Sequence, residues 1–466
     1  MKTSGNLKKI TTFGIIICTF LHGLCYYSFN ITLIDFKEII NKPLNDVSVG
    51  QTVRNLAACV GSILVGSVFS NYGNTQIILS LFVAFEGIMA AILTIVPNLI
   101  LYDIINAFIG LSCGLIETIS FVNIVNLWDE KSDPFIQALG FAVNFAMVVS
   151  PLLFSPFLSN VESEEHDLVC GESHVNKTAN VTQEVAPFGK LHKSQIWMPH
   201  FFIGVMMAII GSCCVILECR RIKYEEKNNV DDHNHETISL KVDHEATKIQ
   251  EEQNTPYSKP CRLLFIILCC LLCAIFWNLH ISKSKAVMMM TAISSSMAIG
   301  CLAGLLASMR IRPMAMLAIL TFFLVIGNSI LFFAASELEL LAWIGGVTCS
   351  FVFGNYFVSV YNLLQEKAGM SNRIGSLFTV SAYILTAIGL PVLLANFIEC
   401  TPIVFLYYTS SSITASIILY IIIAIICWGR KFKRVSNDIK PNATRNKLSI
   451  DHNFNKLFVF IDLLYY

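Results

Sequence analysis

Arg220 to Lys259, RRIKYEEKNNVDDHNHETISLKVDHEATKIQEEQNTPYSK, is a charged run set between apolar spans. On either side of it apolar stretches of about twenty residues recur, about six before and six after, each long enough to cross the hydrocarbon core of a bilayer as a helix. The spans fall near 10–34, 51–69, 75–96, 99–127, 134–158, 197–219, 260–282, 288–309, 314–335, 339–364, 374–397 and 402–428. This reads as an all-α membrane protein in two six-helix halves, the layout of secondary transporters. Residues 1–219 form the first half with an external loop at 160–195. A cytosolic central loop follows at 220–259, then the second half at 260–428 and a cytosolic tail at 429–466.

Composition supports lipid as the solvent. Hydrophobic residues make up 55% of the chain and charged ones 14%, with mean hydropathy +0.64, too little charge to coat a soluble body of 466 residues. Net charge is zero and the pI is about 7.1, so no basic excess points to nucleic acid. Most of the sixteen cysteines sit inside apolar runs, as Cys269, Cys270 and Cys273 do, where a thiol packs as a small hydrophobe. Cys170 and Cys400 alone fall in external segments, which leaves two readings, free thiols or one bridge between them.

Positive charge sets the orientation. Lys8 and Lys9, Arg220, Arg221 and Lys223, Arg310 and Arg312, Lys367 and Arg373, and the Arg430–Arg434 cluster share one side if the amino terminus is cytosolic. Both ends are then expected inside, in a plasma-membrane protein. Lys283 and Lys285, between the seventh and eighth spans, violate the rule. The first span follows Lys8 and Lys9 as a signal peptide would, but no small-residue cleavage site follows Phe29, so it is expected to remain as a helix. The loop at 160–195 carries two glycosylation sequons, at Asn176 and Asn180, in agreement with an external position. Asn442 and Asn30 also match the pattern but lie in the tail and beside the first span, and are expected to stay unmodified. The short apolar patch Leu457–Ile461 is too short to cross a bilayer.

An ionised side chain in mid-membrane survives where it faces a bundle interior, a wet passage or a partner, so each is a functional candidate. Glu117 and Glu86 lie near the middle of the fourth and third spans, His22 in the first, and Arg54 a turn inside the second. Gly110, Cys113, Gly114, Glu117, Ser120 and Phe121 share one helical face, giving Glu117 a surface of small residues open to a helix or a solute. Glu117 is the leading substrate or coupling residue, against a structural role for a neutral or paired carboxyl. Glu86 and His22 are secondary and lean towards structure. Arg54 is expected to snorkel or to pair with Asp35, a gate-like ion pair being the functional alternative.

The second half carries almost no intramembrane charge. Asn355, Ser359 and Asn362 recur on one face of the tenth span, with Tyr356 and Tyr361 nearby, suited either to solute hydroxyls or to interhelical hydrogen bonds. Trp277, with Asn278 and His280, reads as an interfacial anchor or as a plate for a sugar ring. No nucleotide loop, metal-ligand spacing or nucleophile elbow is present, so no enzyme, metal or cofactor is expected.

Twelve spans about a cytosolic loop resemble the major facilitator superfamily. Its motif between helices two and three, Gly-x-x-x-Asp-x-x-Gly-Arg-Arg, persists here as Gly66 and Gly73, with Ser70 for the aspartate and Asn74 and Thr75 for the arginines. The chain is more closely similar to the family of major facilitator superfamily domain-containing protein 4, which includes a sodium-dependent glucose transporter. That likeness rests on Thr32–Phe36, Val53–Asn55 through Gly61–Ser62, Gly114–Trp128, Pro134–Leu139 and Ser150–Leu158, with thinner matches at 305–317 and 376–378. The resemblance implies the major facilitator fold, a glucose-like hexose as substrate and sodium as coupling ion. It places Glu117 at a hydroxyl or an ion, with Asn123 on the same helix. A carrier or channel for another small neutral solute such as urea, or a non-transporting sensor or scaffold, is the alternative, and a monomer in the bilayer is expected.

Deglycosylation is expected to lower the apparent mass of the expressed protein, and Asn176→Gln with Asn180→Gln to remove that shift. An unchanged band, with the loop protected from protease in intact cells, would reverse the assigned topology.

Overall fold

The structure, a computed structural model, describes residues 5–69, 74–96, 98–158, 194–232, 263–270, 287–334, 339–387, 407 and 410–426. The helices are α1 (Gly5–Ile40), α2 (Leu44–Ser67), α3 (Thr75–Leu93), α4 (Leu99–Trp128), α5 (Asp133–Phe154), α6 (Trp197–Asp232), α7 (263–270), α8 (Val287–Ser308), α9 (Pro313–Ala334), α10 (Glu339–Ala368), α11 (Asn372–Ala387) and α12 (Ser410–Ile426). No strand occurs among the described residues. Seven of these helices are long and apolar enough to cross a membrane.

Local chemistry sets the helix ends. Asn41, at φ 54°, turns the chain out of α1, and Pro43 opens α2, the first at a residue type tolerant of the left-handed region. The Asn74 and Asn98 side chains cap α3 and α4 by accepting from the Ile77 and Ile100 amides. Asp129, at φ 47°, ends α4, and Pro134 stands in the first turn of α5. Gly369, at φ 69°, closes α10, its amide donating to Gln365 O at 3.0 Å.

Three expected boundaries move by six residues or more, the first being α2, which opens at Leu44 and not at 51. α1 runs to Ile40, and α6 does not stop at 219 but continues to Asp232, through a run of good helix formers in which Arg221 Nη2 meets Glu218 Oε1 at 2.7 Å. The tip of the external loop with Asn176, Asn180 and Cys170, the sites Cys400 and Trp277, most of the central loop and the tail lie outside the described residues.

In the first half α2 packs on α4 and α3 on α6, with α1 threading between α4, α5 and α6; in the second, α10 packs on α8 and α9. The halves join where α2 meets α11 and α5 meets α8. Glycine makes the α2–α4 approach close: a Cβ at Gly61 would collide with Leu111 O, and one at Gly110 or Gly114 with the carbonyls of Arg54 or Ala58. Apolar side chains such as Phe108, Phe201, Phe202 and Phe322 point outward, a surface that only lipid can cover.

Arg54 is buried within this packing, 1% exposed, so it does not snorkel. Its Nε and Nη2 donate to Asn106 Oδ1 at 3.1 and 2.6 Å, and its guanidinium lies 4.1 Å from the Phe29 ring centroid. Asn106 Nδ2 donates to Tyr102 O at 2.9 Å, which turns its oxygen towards the arginine. Arg54 therefore bonds Asn106 and lies over Phe29, because the close α2–α4 seam sets the amide of α4 directly beside it.

Asn106→Ala strands a buried guanidinium and is expected to cost about 2–3 kcal/mol of stability. The loss should shrink when Arg54→Met accompanies it. Melting curves of the parent, both single variants and the double variant in detergent check this; strictly additive losses would show that the two side chains are not coupled.

Candidate functional site

The mid-bundle charges converge. His22 of α1 and Glu86 of α3 are 1% and 0% exposed, and His22 Nδ1 lies 3.0 and 2.9 Å from the two Glu86 carboxylate oxygens. Each alone would be an unpaired polar group in an apolar interior; together they cancel, as an ion pair or as a neutral pair. The other ring nitrogen, Nε2, faces Cys113 Sγ at 3.7 Å. That thiol lies 3.4 Å from the Tyr383 hydroxyl, which reaches across from α11 in the opposite half.

Glu117 is one turn beyond Cys113 on α4 and is half-buried. The Tyr383 hydroxyl is within hydrogen-bonding reach of its carboxyl group. His22, Cys113 and Glu117 offer ligand atoms that all lie within 4.8 Å of one another. No metal-ligand set was expected from the sequence, because these residues come from two helices and His22 and Cys113 stand 91 positions apart.

The shared face read on α4 divides on inspection. Gly110 and Gly114 seat α2, Ser120 Oγ accepts from Thr19 Oγ1 of α1 at 3.4 Å, and Phe121 stacks on Tyr361 of α10, ring centroids 4.9 Å apart. Cys113 and Glu117 are left to face the interior.

The remaining candidates lie elsewhere. Asn123 accepts from Thr75 Oγ1 at 2.6 Å and donates to Gln76 Oε1 at 3.0 Å, a strut between α4 and the start of α3, away from Glu117. Asn355 bonds the Gly300 carbonyl of α8, Ser359 accepts from Gln137 of α5 at 3.4 Å, and Asn362 donates to Asp133 O at 3.5 Å. This row joins helices, the second of its two readings. Tyr356 pairs with Thr321 at 3.3 Å.

One end of the bundle is closed. Where α4 passes into α5, Gln365 donates to Asp129 O and Ser132 Oγ at 3.0 and 2.5 Å, Ser376 donates to Ser62 O at 2.5 Å, and Phe121 packs tilted or edge-on against Phe357 and Tyr361 of the other half, which Phe378 backs. The altered motif between α2 and α3 contributes here with neutral groups: Asn74 donates to Glu218 at 3.3 Å while Thr75 holds Asn123. Glu117 sits beyond this seal, towards the middle of the bundle. Residues that sequence reading passed over, Tyr383, Asn106 and Gln137, are single polar groups in apolar helices and carry no spacing signal.

No family model matches the chain. A major facilitator superfamily domain-containing protein 4A of Danio rerio is 28% identical over 160 residues, 34% of this chain and 30% of that protein. The matched region thus spans under a third of that relative. Sodium-dependent glucose transporter 1 of Xenopus laevis is 23% identical over 370 residues, 75% of this chain and 68% of that protein. Among solved structures, a major facilitator superfamily transporter, FucP, in the outward conformation aligns with TM-score 0.59 at 14% identity over 90% of this chain and 99% of its own. A proton:xylose symporter, XylE, aligns with TM-score 0.61 at 11% identity over 91% and 96%. The chain is therefore a multi-pass membrane protein with the major facilitator fold, similar in sequence to the major facilitator superfamily domain-containing protein 4 proteins.

Proposed function

We propose that this protein is a secondary active transporter that moves a small hydroxylated solute, a glucose-like hexose, across the plasma membrane by alternating access, with both termini cytosolic and sodium as the coupling ion. The observation that carries the reading is the half-buried Glu117 carboxyl at the centre of the bundle, faced by the Tyr383 hydroxyl of the opposite half. A carboxylate at mid-depth that touches both halves can accept a solute hydroxyl or a cation and sense how the halves are arranged. Glu86, sealed against His22, cannot do so without stranding its partner.

The names of similar proteins agree. One relative is a sodium-dependent glucose transporter, and solved neighbours are symporters of fucose and xylose with protons. The sealed end, where α4 passes into α5, is the cytosolic one in the orientation set by positive charge, which leaves the site facing outward. Nothing in this reading calls for an enzyme, and transport requires only one chain.

One observation favours the second reading, a carrier of another small neutral solute such as urea or a sensor that moves none. Asn355 and Asn362 spend their amide N–H groups, and Ser359 its hydroxyl, on neighbouring helices, which leaves the row fewer donors for a solute.

Uptake of radiolabelled glucose into vesicles, with sodium or choline outside, separates the two. Sodium-dependent uptake in the parent and its loss in Glu117→Gln at unchanged surface expression are expected. Uptake equal in sodium and choline removes the sodium coupling, and a fully active Glu117→Gln makes the residue structural. Uptake of urea without glucose selects the second reading.

A further inference from the structure

We propose that His22, Cys113 and Glu117 form a binding site for a divalent transition-metal ion of the zinc class at the centre of the first half. His22 Nε2 and Cys113 Sγ are 3.7 Å apart. A tetrahedral zinc ion with nitrogen and sulfur bonds of about 2.0 and 2.3 Å would hold those two atoms about 3.5 Å apart. The pair already has the edge length of the site. The Glu117 oxygen lies within 4.8 Å of both, close enough to complete a third position by rotation of its side chain.

The group behind the ligands argues for the same ion. Both oxygens of Glu86 stand at hydrogen-bond distance from His22 Nδ1, at 3.0 and 2.9 Å. A carboxylate there fixes the proton on Nδ1, orients the ring and leaves the Nε2 lone pair directed at the thiol, the arrangement in which metal-binding histidines are held. A histidine placed only to satisfy Glu86 has no need of a thiol and a second carboxyl around its far nitrogen.

Donor type decides the class of metal. Sodium, magnesium and calcium take shells of oxygen, whereas one imidazole, one sulfur and one carboxylate suit a borderline-soft ion. On binding, the Cys113 thiol gives its proton to water and the thiolate bonds the metal. His22, if protonated, gives up its Nε2 proton to water as well; the two positive charges then meet the thiolate and the Glu117 carboxylate, with the Glu86 carboxylate behind His22 leaving the cluster one net negative charge. Three protein ligands leave a fourth position for water or a solute hydroxyl, on the side where Glu117 is half-buried.

The test uses the purified full-length protein and cobalt as a spectroscopic stand-in for zinc. One cobalt ion per chain should bind saturably, with a thiolate charge-transfer band that zinc bleaches. Cys113→Ser, a one-atom change, should abolish the band. Glu117→Gln should weaken cobalt binding by about tenfold or more, and Glu86→Gln should weaken it about 10- to 100-fold while the band remains. Cys18→Ser with Cys214→Ser, at a thiol pair 4.0 Å apart nearby, should change neither. A parent chain that takes up no cobalt or zinc, or a band that survives Cys113→Ser, overturns the site. Binding is read without any solute, so its failure leaves the transport proposal standing, and failed uptake leaves this one.

Discussion

An ionisable group carried into the apolar centre of a helix bundle costs several kcal/mol unless another group meets it there, and the first half of this protein is arranged around that constraint. Glu86 cannot be buried at its depth in α3 unless α1 brings His22 within hydrogen-bonding distance, and the resulting 2.9 Å contact fixes the register of one helix against the other. Arg54 imposes a similar demand on α2 and α4, answered by the Asn106 oxygen and the face of Phe29. The second demand requires helices closer than ordinary side chains allow, which is what Gly61, Gly110 and Gly114 supply between α2 and α4. Charge burial, helix register and glycine placement are therefore one problem with one solution.

The second half has no such burden and is held by neutral contacts. Asn355, Ser359, Asn362 and Gln365 each reach a neighbouring helix, and those that cross to the first half do so at the sealed end. Each neutral hydrogen bond contributes about 1 kcal/mol net. A seal of such bonds and stacked rings is stable as a set and separable piece by piece, with no buried charge exposed when it parts. The replacement of arginines by Asn74 and Thr75 has the same character.

The architecture was legible because a bilayer admits few alternatives: apolar runs of sufficient length, punctuated by asparagine, proline and glycine, fix the helices whatever their neighbours. Glu117 was legible for the same reason, since a lone acid in an apolar helix stands out. Pairing was not. His22 and Glu86 were visible one at a time and were read as secondary, because the contact that joins them is made between helices 64 positions apart. The periodic row on α10 left two readings open, since polar residues that tie helices together and those that bind a solute share the same spacing. Arg54 was expected to snorkel or to pair with Asp35; its burial excludes the first, and the neutral amide of Asn106 that meets it carries no charge signal in the sequence.

These differences also say which carboxylate is free to change in the alternating-access cycle proposed above. Glu86 uses both oxygens on one imidazole, so altering its protonation or its partner would strand His22 in an apolar surrounding. Glu117 has no comparable obligation: it is half-buried, and the hydroxyl that reaches it belongs to Tyr383 of the other half. When the halves move relative to one another, the Glu86 contact travels as a unit within the first half, while the Tyr383 contact must lengthen or shift. The energy of whatever Glu117 binds then depends on the arrangement of the halves, and by linkage its occupancy biases that arrangement. The same motion carries Tyr383 away from Cys113, so a metal ion on the His22 side would feel it through the thiolate, linking the two proposals through a single tyrosine.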